Sequence, residues 1–157
     1  PEVKLVIAPH VVSDGHLKEI ISKLQCTSIR YTQATEENVS DARCLIIDCY
    51  GLLSSIYRYG EISYVGGGFG VGIHNVLEAA VYGIPVVFGP NNKKFREAQH
   101  LLEKKGGFEI KDYKDFECLL DKLLADKTYL EQSGKAAGDY VKHNAGALDK
   151  IMQSIPF

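Results

Sequence analysis

The sequence predicts an α/β domain in which a Rossmann-like parallel sheet of about six strands carries helices on both faces. Strand-like and helix-like segments alternate along the 157 residues, and the connections between them are short. The segment 44–48 is apolar throughout, as in a buried parallel strand. A ligand of such a sheet lies beyond the carboxyl ends of the strands, so the residues just after each strand carry the functional argument.

Three strands are predicted in the first part of the chain. Residues 3–8 form an apolar run that Pro9 ends, and further strands are expected at 27–31 and 44–48. Ser13 opens a helix in which Leu17, Ile20 and Leu24 recur at spacings of three and four residues. Residues 35–42 are interpreted as a short polar helix or turn.

Three more strands and most of the helices are predicted after residue 51. The strands are expected at 62–65, 84–88 and 108–110, and the helices at 52–59, 73–82, 93–105, 113–125, 128–144 and 147–154. Glycines 60, 83 and 106 stand at helix ends. We expect residues 1–157 to form a single domain. Because the chain starts with Pro1 rather than Met, we interpret it as an excised domain that either a membrane anchor or a second domain precedes.

Composition argues against several classes of function. The formal net charge of -2 disfavours a nucleic-acid partner, since such domains usually carry a basic excess. No apolar run approaches the roughly 20 residues of a membrane helix, and no signal peptide is recognisable. The four cysteines form no C-x-x-C pair. We therefore expect free thiols in a reducing compartment, no metal and no cofactor.

The densest signal is a glycine cluster after the fourth strand. Five of the seven residues from Gly66 to Gly72 are glycine. Glycine lets backbone N–H groups approach a ligand, and the start of the following helix suits a phosphate; the other interpretation is a turn without a ligand. The cluster is not a dinucleotide fingerprint, because G-x-G-x-x-G is absent and Phe88 stands where an acid would hold a ribose. A P-loop is excluded too, since no Gly-Lys-Ser/Thr follows.

A second signal follows the glycine cluster. Asn75 and Glu78 are three residues apart and are predicted to share one face of the first turn of the next helix. Val76 and Leu77 can pack against the sheet. Glu78 either accepts hydrogen bonds from the two hydroxyls of a ribose or only interacts with the positive end of the helix, and the residues alone leave both interpretations open.

Residues 66–90 resemble the signature of the Kdo (3-deoxy-D-manno-octulosonic acid) transferases, which are two-domain GT-B glycosyltransferases of lipopolysaccharide assembly. The matching pattern is Gly-Gly, six residues, His-Asn-x-Leu-Glu-Ala, and then Gly-Ile-Pro-Val-Val-Phe-Gly-Pro. Residues 6–10, 50–57 and 62–67 resemble the same family. The resemblance covers most of the chain up to about Ile110 and implies the fold of a GT-B C-terminal domain.

In that family this domain binds the CMP part of the donor CMP-Kdo through three segments. Carried over, they fall on Pro9 and His10, on Tyr50, Gly51 and Leu52, and on Asn75, Val76, Leu77 and Glu78. Gly66, Gly67, Gly68 and His74 complete the predicted site, and His74 either touches the phosphate or caps the helix. His10 stands where arginine is usual and Leu52 where an acid is usual. His10 can still donate to a phosphate; otherwise it is a surface histidine that ends a strand.

Weaker candidates follow the fifth strand. Residues 89–92 can line the cleft, and Lys93 or Lys94 either meets the anionic groups of the donor or is part of a solvated helix start. No pair of carboxylates and no Ser/His/Asp pattern predicts a catalytic residue in this chain. In the resembled family the base that activates the acceptor lies in the other domain.

The resemblance implies that the full enzyme moves Kdo from CMP-Kdo to a lipid A precursor at the cytoplasmic face of the bacterial inner membrane. The full protein is then membrane-associated and meets the acceptor through its other domain, while this domain is itself soluble. One alternative is a nucleotide-sugar epimerase of the same architecture, which would prefer UDP over CMP. The other is a non-catalytic nucleotide-binding module, which a full gene without a second Rossmann-like half would favour.

Overall fold

The computed structural model describes residues 3–146. Its contacts divide the chain between Ile56 and Tyr57 into two compact units. Each unit contains a three-stranded parallel sheet, so all six predicted strands are present but belong to two sheets. The α/β class with parallel strands is confirmed, whereas the single domain over residues 1–157 stays a prediction.

The first unit is built around a central apolar strand. Strands β1 (Leu5–Ile7), β2 (Ser28–Arg30) and β3 (Cys44–Ile46) pair in the order β1-β3-β2. Both Leu5 of β1 and Ser28 of β2 pair with Cys44, so β3 has a neighbour on each side. Cys44 and Ile46 are 0% exposed, which confirms the prediction of a buried parallel strand from its continuous apolar run.

Helix α1 (Asp14–Lys23) covers this sheet and begins as its sequence predicts. The Ser13 side chain accepts a hydrogen bond from the N–H of His16, and Leu17 is buried against Cys44 and Ile46. Residues 36–41 form turns rather than a helix. The unit also contains a 3₁₀ turn at Tyr31–Gln33 and the single-turn helix α2 (Leu53–Ile56).

Gly15 offers a test of helix propensity in α1. No atom lies within 4 Å of the Cβ that an alanine would add there, and the backbone is helical. We expect Gly15→Ala to raise the free energy of unfolding by about 0.5–1 kcal/mol, because alanine loses less backbone entropy in a helix than glycine. Urea unfolding of the variant beside the parent measures this change. A loss of stability would mean that the alanine methyl group clashes with another part of the protein at this position.

The second unit contains the remaining strands and the longer helices. A 3₁₀ turn at Tyr57–Tyr59 opens it, and strands β4 (Ser63–Val65), β5 (Val86–Phe88) and β6 (Gly107–Glu109) pair in the order β4-β5-β6. Its helices are α3 (Leu77–Ala80), α4 (Arg96–Glu103), α5 (Tyr113–Ala125) and α6 (Lys127–Asn144). Asp112 and Asp126 cap α5 and α6, each accepting a backbone N–H at 2.9 Å.

The core of the second unit surrounds β5, whose three residues are at most 1% exposed. Val86 and Phe88 of β5 pack with Ala79 of α3, Leu101 of α4 and Ala137 of α6 in one buried cluster. Burial of a phenylalanine of this kind contributes about 1.5–3 kcal/mol. This packing fixes the carboxyl ends of β4 and β5, where the candidate site lies.

Three helices are shorter than predicted, and the differences in α3 and α4 bear on the site. Helix α3 covers only Leu77–Ala80, because the residues before it are drawn back toward β4 and the N–H of His74 donates to the carbonyl of Gly66. Helix α4 begins at Arg96, so Lys93 and Lys94 lie in the preceding turn. The helix predicted over 52–59 is α2 followed by a 3₁₀ turn. The helix predicted over 147–154 lies outside the described residues.

Candidate functional site

The glycine loop, residues 66–72, follows β4 and closes on itself. The N–H groups of Gly70 and Gly72 both donate to the carbonyl oxygen of Gly67, at 2.9 and 3.2 Å. Gly67 has a φ of 89°, in the left-handed region, and a Cβ there would lie 2.2 Å from the oxygen of Gly72. The loop is therefore a defined turn, and two of its glycines, Gly67 and Gly72 with a φ of 148°, have backbone conformations that favour glycine.

The glycine loop rests on the asparagine segment, residues 89–95, which follows β5. The backbone N–H of Asn91 donates to the Gly68 oxygen at 2.9 Å, and the side-chain amide of Asn91 donates to the Gly70 oxygen at 2.6 Å. A Cβ at Gly68 would lie 2.6 Å from the nitrogen of Gly89. Part of the glycine signal in the sequence thus reflects close packing of two backbones. Gly66 and Gly70 have ordinary contacts only.

A buried polar network holds the asparagine segment in place. Asn92 is 1% exposed, and its side-chain amide donates to the Gly89 oxygen at 3.0 Å and to Oε2 of Glu109 at 2.7 Å. Gln99 donates to Oδ1 of Asn92 at 2.6 Å. Every hydrogen-bonding atom of the Asn92 amide therefore has a partner, as burial requires. Sequence reasoning named Asn92 only as part of a cleft lining and missed Gln99 and Glu109, since nothing local relates residues on three different elements.

Asn75 and Glu78 come together just after the glycine loop. The side-chain amide of Asn75 donates to Oε1 of Glu78 at 3.1 Å, and Oδ1 of Asn75 accepts the N–H of Leu77 at 3.0 Å. Asn75 lies before α3 rather than in its first turn, which corrects the predicted placement. Because α3 is a single turn, few peptide dipoles align there, and the dipole explanation for Glu78 is weaker than a longer helix would make it.

The Glu78 carboxylate affects the pKa of the neighbouring Tyr57 hydroxyl. Burial raises the pKa of the Tyr57 hydroxyl above its ordinary value, and the nearby Glu78 carboxylate raises it further. Glu78 is itself half-buried, and its second carboxylate oxygen, Oε2, accepts no hydrogen bond within residues 3–146. An ionised, partly shielded carboxylate of this kind can accept hydrogen bonds from ligand hydroxyls.

An open depression of about 350 Å³ lies beside the start of α3. Residues 73–77 form one side of it, and Phe95 and Glu97 form the other. Asn75 and His74 are exposed, whereas Val76 is 3% exposed and Leu77 packs against the core. Of the predicted binding residues, Val76 and Leu77 can therefore contact a ligand only through backbone atoms or a small part of a side chain.

The other predicted binding residues lie in the first unit at the carboxyl ends of β1 and β3. Pro9 and His10 follow β1, and Tyr50, Gly51 and Leu52 follow β3. Since β1 and β3 are paired in parallel, the two segments meet at one sheet edge, and the N–H of Val12 contacts the Tyr50 hydroxyl oxygen at 3.4 Å. Tyr50 is 74% exposed and His10 is exposed, so both side chains are accessible.

Asp48 is a polar group at this edge that sequence reasoning did not single out. Its carboxylate accepts the backbone N–H of Thr32 at 2.9 Å and the Thr32 hydroxyl at 2.6 Å. Burial alone would raise the pKa of Asp48, but the hydrogen bonds from Thr32 outweigh it and the pKa is lowered. The carboxylate thus ties the end of β3 to the 3₁₀ turn after β2. The sequence signal that could have identified Asp48 is its position, an acidic residue directly after an apolar strand.

The cysteines and acidic residues show no metal chemistry within the described part of the chain. No cluster of three or more His, Cys, Asp or Glu side chains that could hold a metal ion occurs among residues 3–146. Cys44 is a buried thiol whose pKa burial raises to about 11, while Cys26 and Cys118 are exposed and free. Within the same residues, no helix combines the length and apolarity needed to cross a membrane.

Comparison with known proteins adds to this geometry. The chain is 30% identical over 145 residues to the 3-deoxy-D-manno-octulosonic acid transferase of Aquifex aeolicus (strain VF5). The alignment covers 89% of this chain and 40% of that protein. The transferase of the same name from Rickettsia typhi (strain ATCC VR-144 / Wilmington) is 29% identical over 147 residues, covering 90% of this chain and 32% of that protein. The chain therefore spans less than half the length of these curated relatives. No protein-family model matches it.

A solved structure shows the same fold. The crystal structure of the C-terminal CMP-Kdo binding domain of WaaA from Acinetobacter baumannii matches with a TM-score of 0.71 and 19% sequence identity, over 89% of this chain and 90% of that one. The fold is that of the C-terminal domain of a GT-B glycosyltransferase. By sequence, the chain is related to the C-terminal part of the Kdo transferases, which confirms the resemblance drawn from its motifs.

Proposed function

We propose that this chain is the donor-binding part of a Kdo transferase and that it binds CMP-Kdo. The observation that carries the proposal is the arrangement after β4, where a closed glycine loop is followed at once by the Asn75–Glu78 pair. Backbone N–H groups of the loop suit phosphate oxygens, and the Glu78 carboxylate suits the two hydroxyls of a ribose. The name of the solved relative, a CMP-Kdo binding domain, supports the same ligand.

The remaining predicted residues have roles in this proposal that follow from their chemistry. Tyr50, Gly51 and Leu52 form an exposed turn with a Gly51 φ of 90°, and we assign it to the base of the nucleotide. Pro9 and His10 lie at the same sheet edge, where the His10 ring can donate to a phosphate oxygen. His74 lies beside the glycine loop and can do the same. Each role is a proposal for mutagenesis.

The full protein, in this proposal, transfers Kdo from CMP-Kdo to a hydroxyl of a lipid A precursor at the cytoplasmic face of the inner membrane. The names of the relatives support the transfer of Kdo. This chain contributes binding and orientation of the donor, and the group that activates the acceptor belongs to another part of the protein. We therefore expect the 157-residue chain alone to bind nucleotide without transferring sugar.

Binding of nucleotides to the chain tests the proposal. We expect calorimetry to detect weak binding of CMP and weaker binding of UMP, because a site built for CMP-Kdo must distinguish the 4-amino group of cytosine from the oxygen of uracil. CMP and UMP share the ribose and the phosphate, so the difference between their affinities measures recognition of the base alone. Equal or tighter binding of UMP would contradict the assignment and favour an epimerase of UDP-sugars, and no binding of either would remove it.

A further inference from the structure

We propose that Asn91 is a positioning residue that aims the backbone N–H groups of Phe69 and Val71 at a phosphate oxygen. The glycine loop then binds an oxyanion on the side opposite to the asparagine segment. This inference rests on the proposed function in one respect only, namely that the oxyanion in the cell is the phosphate of the nucleotide.

The direction of the two N–H groups follows from the hydrogen bonds of the two preceding carbonyls. In a trans peptide the carbonyl of one residue and the N–H of the next point in opposite directions from the same rigid plane. The oxygens of Gly68 and Gly70 both accept hydrogen bonds from Asn91, one from its backbone N–H and one from its side-chain amide. The N–H groups of Phe69 and Val71 must therefore both point away from Asn91.

These two N–H groups are suited to a ligand because the fold does not use them. Within residues 3–146, neither donates to a backbone carbonyl, whereas Gly70 and Gly72 donate to the oxygen of Gly67. Phe69 is 54% exposed and Val71 is fully exposed. Backbone N–H groups that point to the same side of a turn offer partial positive charge, to which phosphate and other oxyanions bind.

The side chain of Asn91 is needed because the loop cannot hold this peptide plane by itself. Gly70 has no side chain, and an added Cβ there would meet only the Gly67 oxygen at 3.6 Å, so close packing at Gly70 does not hold the plane between Gly70 and Val71. The hydrogen bond of 2.6 Å from the Asn91 amide supplies the restriction. Asn91 is in turn fixed by its neighbour Asn92, which is buried and fully hydrogen-bonded.

The test compares Asn91→Ala with the matched control Asn144→Ala. Asn144 also donates its side-chain amide to a backbone oxygen, that of Tyr140 at 2.8 Å, but at the end of α6. Both variants and the parent are titrated with inorganic phosphate, CMP and cytidine while ¹H–¹⁵N NMR follows the amides of Phe69 and Val71. We expect phosphate and CMP to shift both amides in the parent and in Asn144→Ala. In Asn91→Ala we expect affinity for CMP to fall about tenfold and affinity for cytidine to stay unchanged.

The outcomes separate this inference from the proposed function. Equal CMP affinity in Asn91→Ala and the parent would overturn the positioning role, and so would an equal loss for CMP and cytidine, which is what general distortion of the site produces. CMP binding that leaves the Phe69 and Val71 amides unshifted would overturn the oxyanion site. If phosphate shifts both amides but CMP binds no better than phosphate, the inference stands and the proposed function fails. Asn91→Gln, which retains an amide donor, should recover part of the lost affinity.

Discussion

Gly68→Ala should lower the free energy of unfolding by about 3 kcal/mol or more, the upper range for adding a methyl group to a close-packed site. The added Cβ would lie 2.6 Å from the nitrogen and 2.7 Å from the Cα of Gly89. Both are backbone atoms, which no side-chain rotation can move aside. Relief of the clash requires the glycine loop and the asparagine segment to separate, with loss of the hydrogen bond from Asn91 to Gly68.

The control for this substitution lies two residues along the same loop. A Cβ at Gly70 would meet nothing closer than the Gly67 oxygen at 3.6 Å, and Gly70 does not adopt a positive φ. We expect Gly70→Ala to change the free energy of unfolding by less than about 1 kcal/mol, the range of ordinary glycine-to-alanine changes. Urea denaturation of both variants measures the difference. Indistinguishable midpoints would show that the two backbones can separate without cost.

Glu78→Ala should weaken CMP binding by roughly ten- to a hundredfold, because a charge-assisted hydrogen bond contributes about 1.5–3 kcal/mol. The carboxylate is half-buried, and the Asn75 amide orients it through a hydrogen bond of 3.1 Å. It is therefore already oriented when a ligand hydroxyl binds. If Glu78 only stabilised α3, the substitution would cost about 0.3–1 kcal/mol of stability and leave affinity unchanged. Titration with CMP and thermal unfolding of the same samples distinguish the two roles.

Two further measurements sharpen the Glu78 experiment. Glu131→Ala serves as the control, because Glu131 is an exposed acid whose ion pair with Lys127 lies on α6, and its loss should change neither affinity nor stability appreciably. The pKa of Tyr57 should fall in Glu78→Ala, since one of the two causes that raise it is removed while burial remains. Ultraviolet titration of the tyrosines reports this shift. A lowered melting temperature with unchanged affinity would leave Glu78 a structural residue.

The sequence predicted best those features whose signals are local. Strands β1 and β3 were located from short apolar runs, and the start of α1 from a serine at its first turn. Helices α5 and α6 were placed to within a residue of their observed bounds, and both begin after an aspartate that caps the first turn. The placement of Pro9, His10 and residues 50–52 just after two strands was predicted from the sequence, whereas the pairing of those strands, β1 and β3, came from the structure.

The sequence misjudged features whose causes lie far along the chain. Asn75 was expected inside a ten-residue helix, but the N–H of His74 donates to the carbonyl of Gly66, and α3 begins only at Leu77. The glycine cluster was predicted as a ligand loop or a plain turn, and only the structure separated the glycines by role. Gly68 is glycine because Gly89, twenty-one residues later, touches it, and this contact has no signature in either segment.

By itself, the sequence determined the α/β class, the succession of strands along the chain and the residues available at their carboxyl ends, because periodicity, caps and motif spacing act over a few residues. Only the tertiary structure decided that β1–β3 and β4–β6 form separate three-stranded sheets and that α3 is a single turn. It also decided that Asn91 controls two carbonyls of the glycine loop. These features depend on which backbones meet across the fold, and the free energy of such contacts is set by packing between distant segments rather than by local propensity.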